Sequence, residues 1–600
     1  MCGIAGFARR ATAMDLCQPL ERMHQAIGHR GPDDRGVWRS PGGHALYAHT
    51  RLSILDPSAA GHQPMQIEDG RYTITYNGEI FNFAALRESL LTSGVVFRSN
   101  SDTEVLLRLY QRHGPSFVER LRGMFAFAIW DDHERTCFLA RDRFGIKPLY
   151  YHESGGVLTF ASEVRALLAS GMIPSTLDPQ GVFEYFRTGS VPEPLSLIKG
   201  VRTLEAGHHM TWRDGDASLV RYWDVQFPDD DPVGDPVAAT RAALIDSVRH
   251  HFVSDVPVGV FLSGGMDSTA IVALATQTQP ARLRTFSLTF PGSELDEGPD
   301  ARRSAAHFGT DHHEWAVDAT TARALVDDFM AAADQPSIDG FNTFTVSRLA
   351  SQQGTKVVLS GLGGDELFGG YPSFREVPRL AKWGHRARLA GPIGSAAAWI
   401  AGEVGGARLR RAHDLLMPTA DLENAYSVFR GIYTRGEALA LTEHYAGGSD
   451  AVVAHMSSGA SSDPTPEDTI SRLELTRYMR NQLLRDTDVM SMAWGVELRV
   501  PFLDSQLFAT LSRIPAGQRL QPGKRLLALA VPEVPEWVAK RPKRGFMFPM
   551  QQWFENDWAG EFGDLDKSVA ARMVPMDTWY RKWSVLAFEQ WLQLRTPQHV

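Results

Sequence analysis

Cys2, in the opening MCGIAGF, is one of only three cysteines in 600 residues. The small second residue permits removal of the initiator methionine, which would leave this thiol on the N-terminal residue. Such a nucleophile carries its own base, because a free α-amine titrates at about pH 8 beside the side chain it activates. Taken alone, a buried inert cysteine is the better reading. The neighbouring segments reverse it: RLSI (51–54), NGEI (77–80) and SDTE (101–104) add a guanidinium, an amide and carboxylates.

A second set of residues suits a different chemistry. VFLSGGMDS (260–268) runs from an apolar strand through a glycine pair into a helix. Successive backbone N–H groups there, with the helix dipole behind them, form an anion nest. No lysine follows the glycines, so this is not the loop that delivers a γ-phosphate. Asp267, and Asp365 in SGLGGDELFGGY (360–371), are hard oxygen donors suited to Mg²⁺ bridging phosphates. Near the C-terminal end, KRPKRGF (540–546) reads on its own as a solvated basic run.

These residues need two kinds of scaffold. The first 220 residues alternate strand-like runs (GHALYAHTRLSIL, GRYTITYNGEI, MFAFAIW, TCFLARD) with short amphipathic helices, and Gly78 is expected to bend the second strand. DVQFPDDDPVGDP (224–236), dense in Asp, Pro and Gly, has the composition of an interdomain linker. Beyond it, apolar strands, glycine-rich loops and helices alternate, as in a parallel sheet covered by helices. The last 130 or so residues read as mostly helical, with a mobile loop expected at 456–468.

The ordered set MCGIAGF, HRGPDD, RLSI, GHQP, YNGEI, SDTE and RDRFGIKPLYY resembles a class II glutamine amidotransferase domain, and the whole chain resembles the glutamine-hydrolysing asparagine synthetase family. The resemblance implies an N-terminal αββα sandwich of the N-terminal-nucleophile (Ntn) hydrolase kind over residues 1–223. A linker at 224–236 would then lead to a parallel-sheet, Rossmann-like ATP pyrophosphatase domain (PP-loop) with many helices over 237–600. By the same resemblance Cys2 attacks the side-chain amide of glutamine, and Asn77 and the Gly78 N–H stabilise the oxyanion. Arg51 holds the α-carboxylate of glutamine, while Asp102 and Glu79 take its α-ammonium. ATP lies against Leu262, Ser263, Gly264, Gly265, Asp267, Ser268, Leu288, Ser360 and Gly361; Mg²⁺ is held by Asp267 and Asp365; Lys543 steadies an acyl-adenylate transition state. The implied reaction makes asparagine from aspartate, glutamine and ATP, with AMP and pyrophosphate as products. A homodimer is also implied.

Two positions depart from the family pattern. Leu362 stands where asparagine-forming members carry a glutamate, and Gln335 replaces a common glutamate. Both are expected near the acceptor pocket, so another carboxylate, such as a sugar uronate or a peptide acid, is the alternative acceptor. The segment DVMSMAWGVELRVPFLD (488–504) is expected to serve packing, and the His pairs at 250–251 and 312–313 lack the further ligands of a zinc site.

Composition narrows the rest. With 43% hydrophobic and 22% charged residues the chain is of the soluble globular class, and its length suggests two to four domains. A net charge of −9 gives no reason to expect nucleic acid or an anionic membrane as partner, leaving small molecules. The N-terminus lacks a secretory pattern and the most apolar stretch, 389–407, is interrupted by Pro392, Gly394 and Glu403, so a cytoplasmic protein is expected.

Overall fold

The computed structural model describes residues 2–67, 70–228, 233–278, 282–391, 410–416, 422–453, 463–543, 545 and 547–596. Met1, most of the apolar stretch 389–407 and positions 456–462 of the expected loop lie outside them. The end of that loop is ordered, since Pro466 opens the helix Pro466–Leu473 with Thr465 as N-cap. Among the described residues no helix is long and apolar enough to cross a membrane.

The N-terminal half is two six-stranded antiparallel sheets packed face to face. One has the strand order Val201–Thr203, Tyr150–Ser154, Val157–Ala161, Gly3–Arg9, Ala45–Arg51, Asp34–Arg39. The other runs Asp216–Arg221, His208–Arg213, Thr136–Arg141, Gly123–Asp131, Tyr72–Ile80, Met65–Ile67. Side chains alternate between the faces of each strand. Ile4 and Ala8 accordingly meet Ala126, Ala128 and Trp130 between the sheets. Ala5 and Phe7 face outward onto the helices Cys17–Ala26 and Val164–Ala169. On the far side Phe125, Phe127 and Ile129 pack beneath the helix Asp102–His113. The layers are therefore α, β, β, α. With both faces covered, all seven residues of Gly3–Arg9 are buried.

Tyr72–Ile80 continues straight through Gly78, which pairs with Phe125, so the expected bend is absent. Glycine is needed for another reason: a Cβ there would stand 2.2 Å from the Met124 carbonyl oxygen.

The C-terminal half is built on a five-stranded parallel sheet of order Asp311–Ala316, Arg284–Thr289, Val258–Phe261, Val357–Leu359, Glu497–Arg499. Strand Val258–Phe261 feeds helix Met266–Thr278 through the Ser263–Gly265 loop, and Val357–Leu359 feeds Gly364–Phe368 through Ser360–Gly363. Both loops thus sit at the carboxyl ends of adjacent central strands, where open α/β sheets bind ligands.

The expected linker is no free tether: Val225 and Phe227 are buried in the core of the parallel-sheet half, and Phe227 packs on Phe508 and under the Arg519 guanidinium. Two apolar side chains outweighed the surrounding Asp and Pro. The halves are further joined by a fork in which Arg122 Nε and Nη2 donate to the two oxygens of Asp504, at 2.7 and 2.9 Å.

Candidate active site

The chemistry-bearing residues gather at two centres. At the first, the Cys2 backbone N–H donates to Asn77 Oδ1 at 3.0 Å, tying the first strand of one sheet to the inner face of the other. This bond fixes the Asn77 amide and leaves its Nδ2 buried without a partner. A buried amide N–H with nothing to donate to carries a desolvation cost that an incoming oxyanion relieves. Burial pushes the Cys2 thiol above its ordinary pKa.

Arg51 closes the strand Ala45–Arg51 and donates from Nη1 to the Ser58 carbonyl (3.1 Å) and from Nη2 to those of Leu55 (3.2 Å) and Asp56 (2.5 Å). Gly61 makes room for it, since a Cβ there would lie 2.0 Å from Nη2. The guanidinium is thus held by its own loop. Asp102 follows the N-cap Ser101, and its Oδ2 accepts from the Tyr76 hydroxyl (2.9 Å) and the Ile80 N–H (3.1 Å). Burial pushes its pKa up to about 6. Glu79 shares the inner face with Asn77, two residues along the strand. Its Oε2 accepts from Arg499 Nη2 at 3.1 Å, while Oε1 is buried without a hydrogen-bond partner.

The C-terminal half also reaches this centre through Arg30, whose Nε donates to the Cys2 carbonyl (3.1 Å) and whose Nη2 donates to Asp488 Oδ2 (2.6 Å). The segment 488–504, expected mostly to pack, supplies Asp488, Glu497, Arg499 and Asp504 to this boundary. None of these cross-chain pairs has a signature at short sequence range.

The second centre is a cavity of about 1010 Å³ in the parallel-sheet half, lined by Leu262, Ser263, Gly265, Asp267, Ser268, Leu288, Ser360, Gly361, Asp365 and Lys543 among others. Gly264 alone of the expected nucleotide contacts is not on the wall. It has φ 73° and packs on Asp300 and Ala301, which a Cβ would meet at 2.7 and 2.8 Å. Ser263 and Ser268 hydroxyls lie 3.1 Å apart, and the Gly265 N–H donates to Ser263 Oγ at 3.3 Å.

Glycines let the two acid-bearing loops meet. A Cβ on Gly364 would sit 2.4 Å from Asp267 Oδ1, and one on Gly370 would sit 1.8 Å from Asp365 Oδ1. Lys543 Nζ lies 2.5 Å from Asp365 Oδ2. Its neighbours in the basic run go elsewhere: Lys540 pairs with Glu536 on the surface and Arg541 with Glu297 and Asp300. Sequence reasoning missed Lys524, whose ammonium is buried between Asp267 and Asp365. Burial pushes Asp267 up, and although burial acts the same way on Asp365, Lys524 and Lys543 outweigh it and hold that carboxyl low.

Among the described residues no three His, Cys, Asp or Glu side chains cluster as a metal cage. The pair Asp267 and Asp365 fits a Mg²⁺ that takes most of its ligands from phosphate and water; Asp267 Oδ1 is buried and makes no hydrogen bond.

The two departures separate. Leu362 lines the cavity. Gln335 does not, correcting the expectation that placed it by the acceptor: its Oε1 accepts from Leu197 N–H (2.9 Å) and its Nε2 donates to the Tyr150 hydroxyl (3.1 Å) in the other half. An amide can make both bonds at once, whereas an ionised carboxylate could only accept. One turn beyond Leu362, Glu366 lines the same cavity. Its Oε1 accepts from the Tyr371 hydroxyl at 2.9 Å, its Oε2 is buried and unpaired, and burial pushes its pKa up to about 8.

Comparison with known proteins matches this division of labour. Residues 1–223 match the glutamine amidotransferase domain model, and residues 239–593 match the asparagine synthase model. The chain is 35% identical to asparagine synthetase [glutamine-hydrolyzing] 1 of Bacillus subtilis, over 93% of this chain and 88% of that protein. It is 34% identical to a putative asparagine synthetase [glutamine-hydrolyzing] of Mycobacterium bovis, over 97% and 93%. It is also 28% identical to amidase chry2 of Gibberella zeae, over 92% and 90%. With both domain models matched in order and relatives aligned over most of its length, the chain belongs to the asparagine synthase family.

Proposed function

We propose that this protein is a glutamine-dependent asparagine synthetase whose glutaminase half is residues 1–223 and whose synthetase half is residues 237–600. Cys2, freed of Met1, attacks the side-chain amide of glutamine. The unpartnered Asn77 Nδ2–H, with the Gly78 N–H, receives the negative oxygen; Arg51 and the carboxylates of Glu79 and Asp102 hold the ends of the substrate. Ammonia leaves, and water releases glutamate from the thioester.

In the cavity, the Ser263–Ser268 loop, Ser360 and Gly361 hold ATP, and Leu262 and Leu288 flank the adenosine. Asp267 and Asp365 would hold Mg²⁺, which neutralises phosphate charge when bound. Lys543, with Lys524, faces the charge that builds as the aspartate side-chain carboxylate displaces pyrophosphate. The adenylate converts a poor leaving oxide into AMP, and uncharged ammonia from the first centre completes the amide. The observation that carries this reading is the single cavity joining Ser263, Asp267, Ser360, Asp365 and Lys543. A cytoplasmic setting would keep Cys2 reduced, and a homodimer is the assembly the resemblance implies.

Leu362 favours a second reading, the same mechanism on another carboxylate, because it places an apolar side chain on the cavity wall. Acid-dependent exchange of pyrophosphate into ATP separates the two. Exchange with aspartate supports the first, and exchange only with another acid supports the second. ADP in place of AMP as product would overturn both.

A further inference from the structure

We propose that Arg499, delivered by the edge strand of the parallel sheet, is a positioning residue of the glutamine site, setting the Glu79 carboxylate so that Glu79 Oε1 takes the substrate's α-ammonium. The inference rests on the glutaminase reading above and assigns within it which oxygen recognises the amine and what holds it.

Arg499 is fully buried, and its guanidinium is held by directional hydrogen bonds. Nε donates to Glu497 Oε1 at 2.6 Å, Nη1 to the carbonyls of His251 (2.8 Å) and Val253 (2.7 Å), and Nη2 to Glu79 Oε2 at 3.1 Å. Four bonds in one plane leave this group no other arrangement, so the carboxylate it meets is oriented by the C-terminal half. The result is a buried carboxylate with one oxygen satisfied and the other, Oε1, without a partner.

Asp102, the other carboxylate assigned to the amine, is the more engaged of the two. Asp102 Oδ2 accepts from Tyr76 and Ile80, and Oδ1 from the Ser101 hydroxyl at 3.4 Å. Asn77 and Glu79 lie on one face of one strand, with Asn77 bonded to Cys2. A substrate whose amide carbonyl meets Asn77 Nδ2 therefore finds Glu79 Oε1 on the same wall. An ammonium at that oxygen removes the cost of an unpaired buried acceptor, which is why recognition should discriminate strongly against a substrate lacking the amine.

The edge strand also ties this arrangement to the nucleotide loop. The Ser360 N–H donates to the Arg499 carbonyl at 2.9 Å, and Leu359 pairs with Arg499 across the sheet. One residue thus contacts the glutamine site through its side chain and the ATP site through its backbone.

The test is glutamine cleavage by the full-length protein, Glu79→Gln and Arg499→Lys, each with glutamine and with the analogue that lacks only the α-ammonium. Pyrophosphate exchange, which does not use glutamine, reports that each variant is folded. Wild type should prefer glutamine in kcat/KM by on the order of 10- to 100-fold. Both variants should lose that preference, chiefly through KM for glutamine. The isosteric Glu79→Gln decides the matter if Arg499→Lys does not fold. A preference unchanged in either folded variant, with both substrates slowed alike, overturns the proposal. Wild type that cleaves neither substrate would instead overturn the glutaminase reading itself.

Discussion

Lys524 and Asp267 are 257 residues apart in the chain, yet the lysine Nζ lies 2.5 Å from Asp267 Oδ2 and also touches Asp365. Lys524 adopts φ 53°, the left-handed region that disfavours a residue with a side chain. The fold retains that strain to hold one ammonium between two acids brought together by separate loops.

Replacing Lys524 by methionine should therefore disable the ATP half selectively. Two buried carboxylates would lose their shared cation, and pyrophosphate exchange should fall by about 100-fold or more. Glutamine cleavage should stay within about threefold. Exchange at the wild-type rate would show that Lys524 only balances charge.

Gly370→Ala probes the same centre without altering a charge. The added methyl would stand 1.8 Å from Asp365 Oδ1 and 2.5 Å from Lys524 Cε, so the acid–lysine cluster must open. Exchange should drop while glutamine cleavage at the other centre changes little. Retained exchange would mean that the cluster tolerates displacement.

At the other centre, Asn77→Ala removes a buried amide donor that has no partner in the ground state. Glutamine-dependent turnover should lose about 100- to 1000-fold in kcat with a smaller change in KM, because the bond forms only with the oxyanion. Ammonium-dependent turnover should persist, as it should for Cys2→Ala. An equal loss of both activities would place Asn77 in a structural role.

His251 makes stability depend on pH. It is buried on the helix Pro236–His251, donates from Nδ1 to the Ser247 carbonyl at 2.9 Å, and packs at a tilt against the Phe81 ring. Burial lowers its pKa from 6.5 to about 4, with Arg499 and Arg122 acting the same way and Asp504 against. Between those values the unfolded chain binds a proton that the folded chain refuses. Its contribution is complete above pH 6.5 and is lost as the pH falls toward 4. In urea unfolding, His251→Gln should flatten this part of the profile by up to about 1.4 kcal/mol per pH unit. An unchanged slope would assign the acid sensitivity to other groups.

Much of the design is legible in the sequence because its parts are local. A strand, a glycine pair and a helix start within nine residues build the Ser263–Ser268 nest, since consecutive backbone N–H groups need no distant partner to converge. Cys2, Asn77 and Asp102 are legible for a related reason: each sits in a short ordered run whose residue types match one chemistry. What the chain order conceals is which distant side chains meet. Lys524 joins Asp267 and Asp365, Arg499 joins Glu79, and Gln335 serves the far half, because two sandwiched sheets and a third parallel one dock in one particular way. Val225 and Phe227 mislead for the same reason, as composition counts the Asp and Pro around them but not the core they enter. Local backbone geometry is set by neighbours in sequence; the pairing of buried charges is set by burial itself, which exists only once the halves have closed on one another.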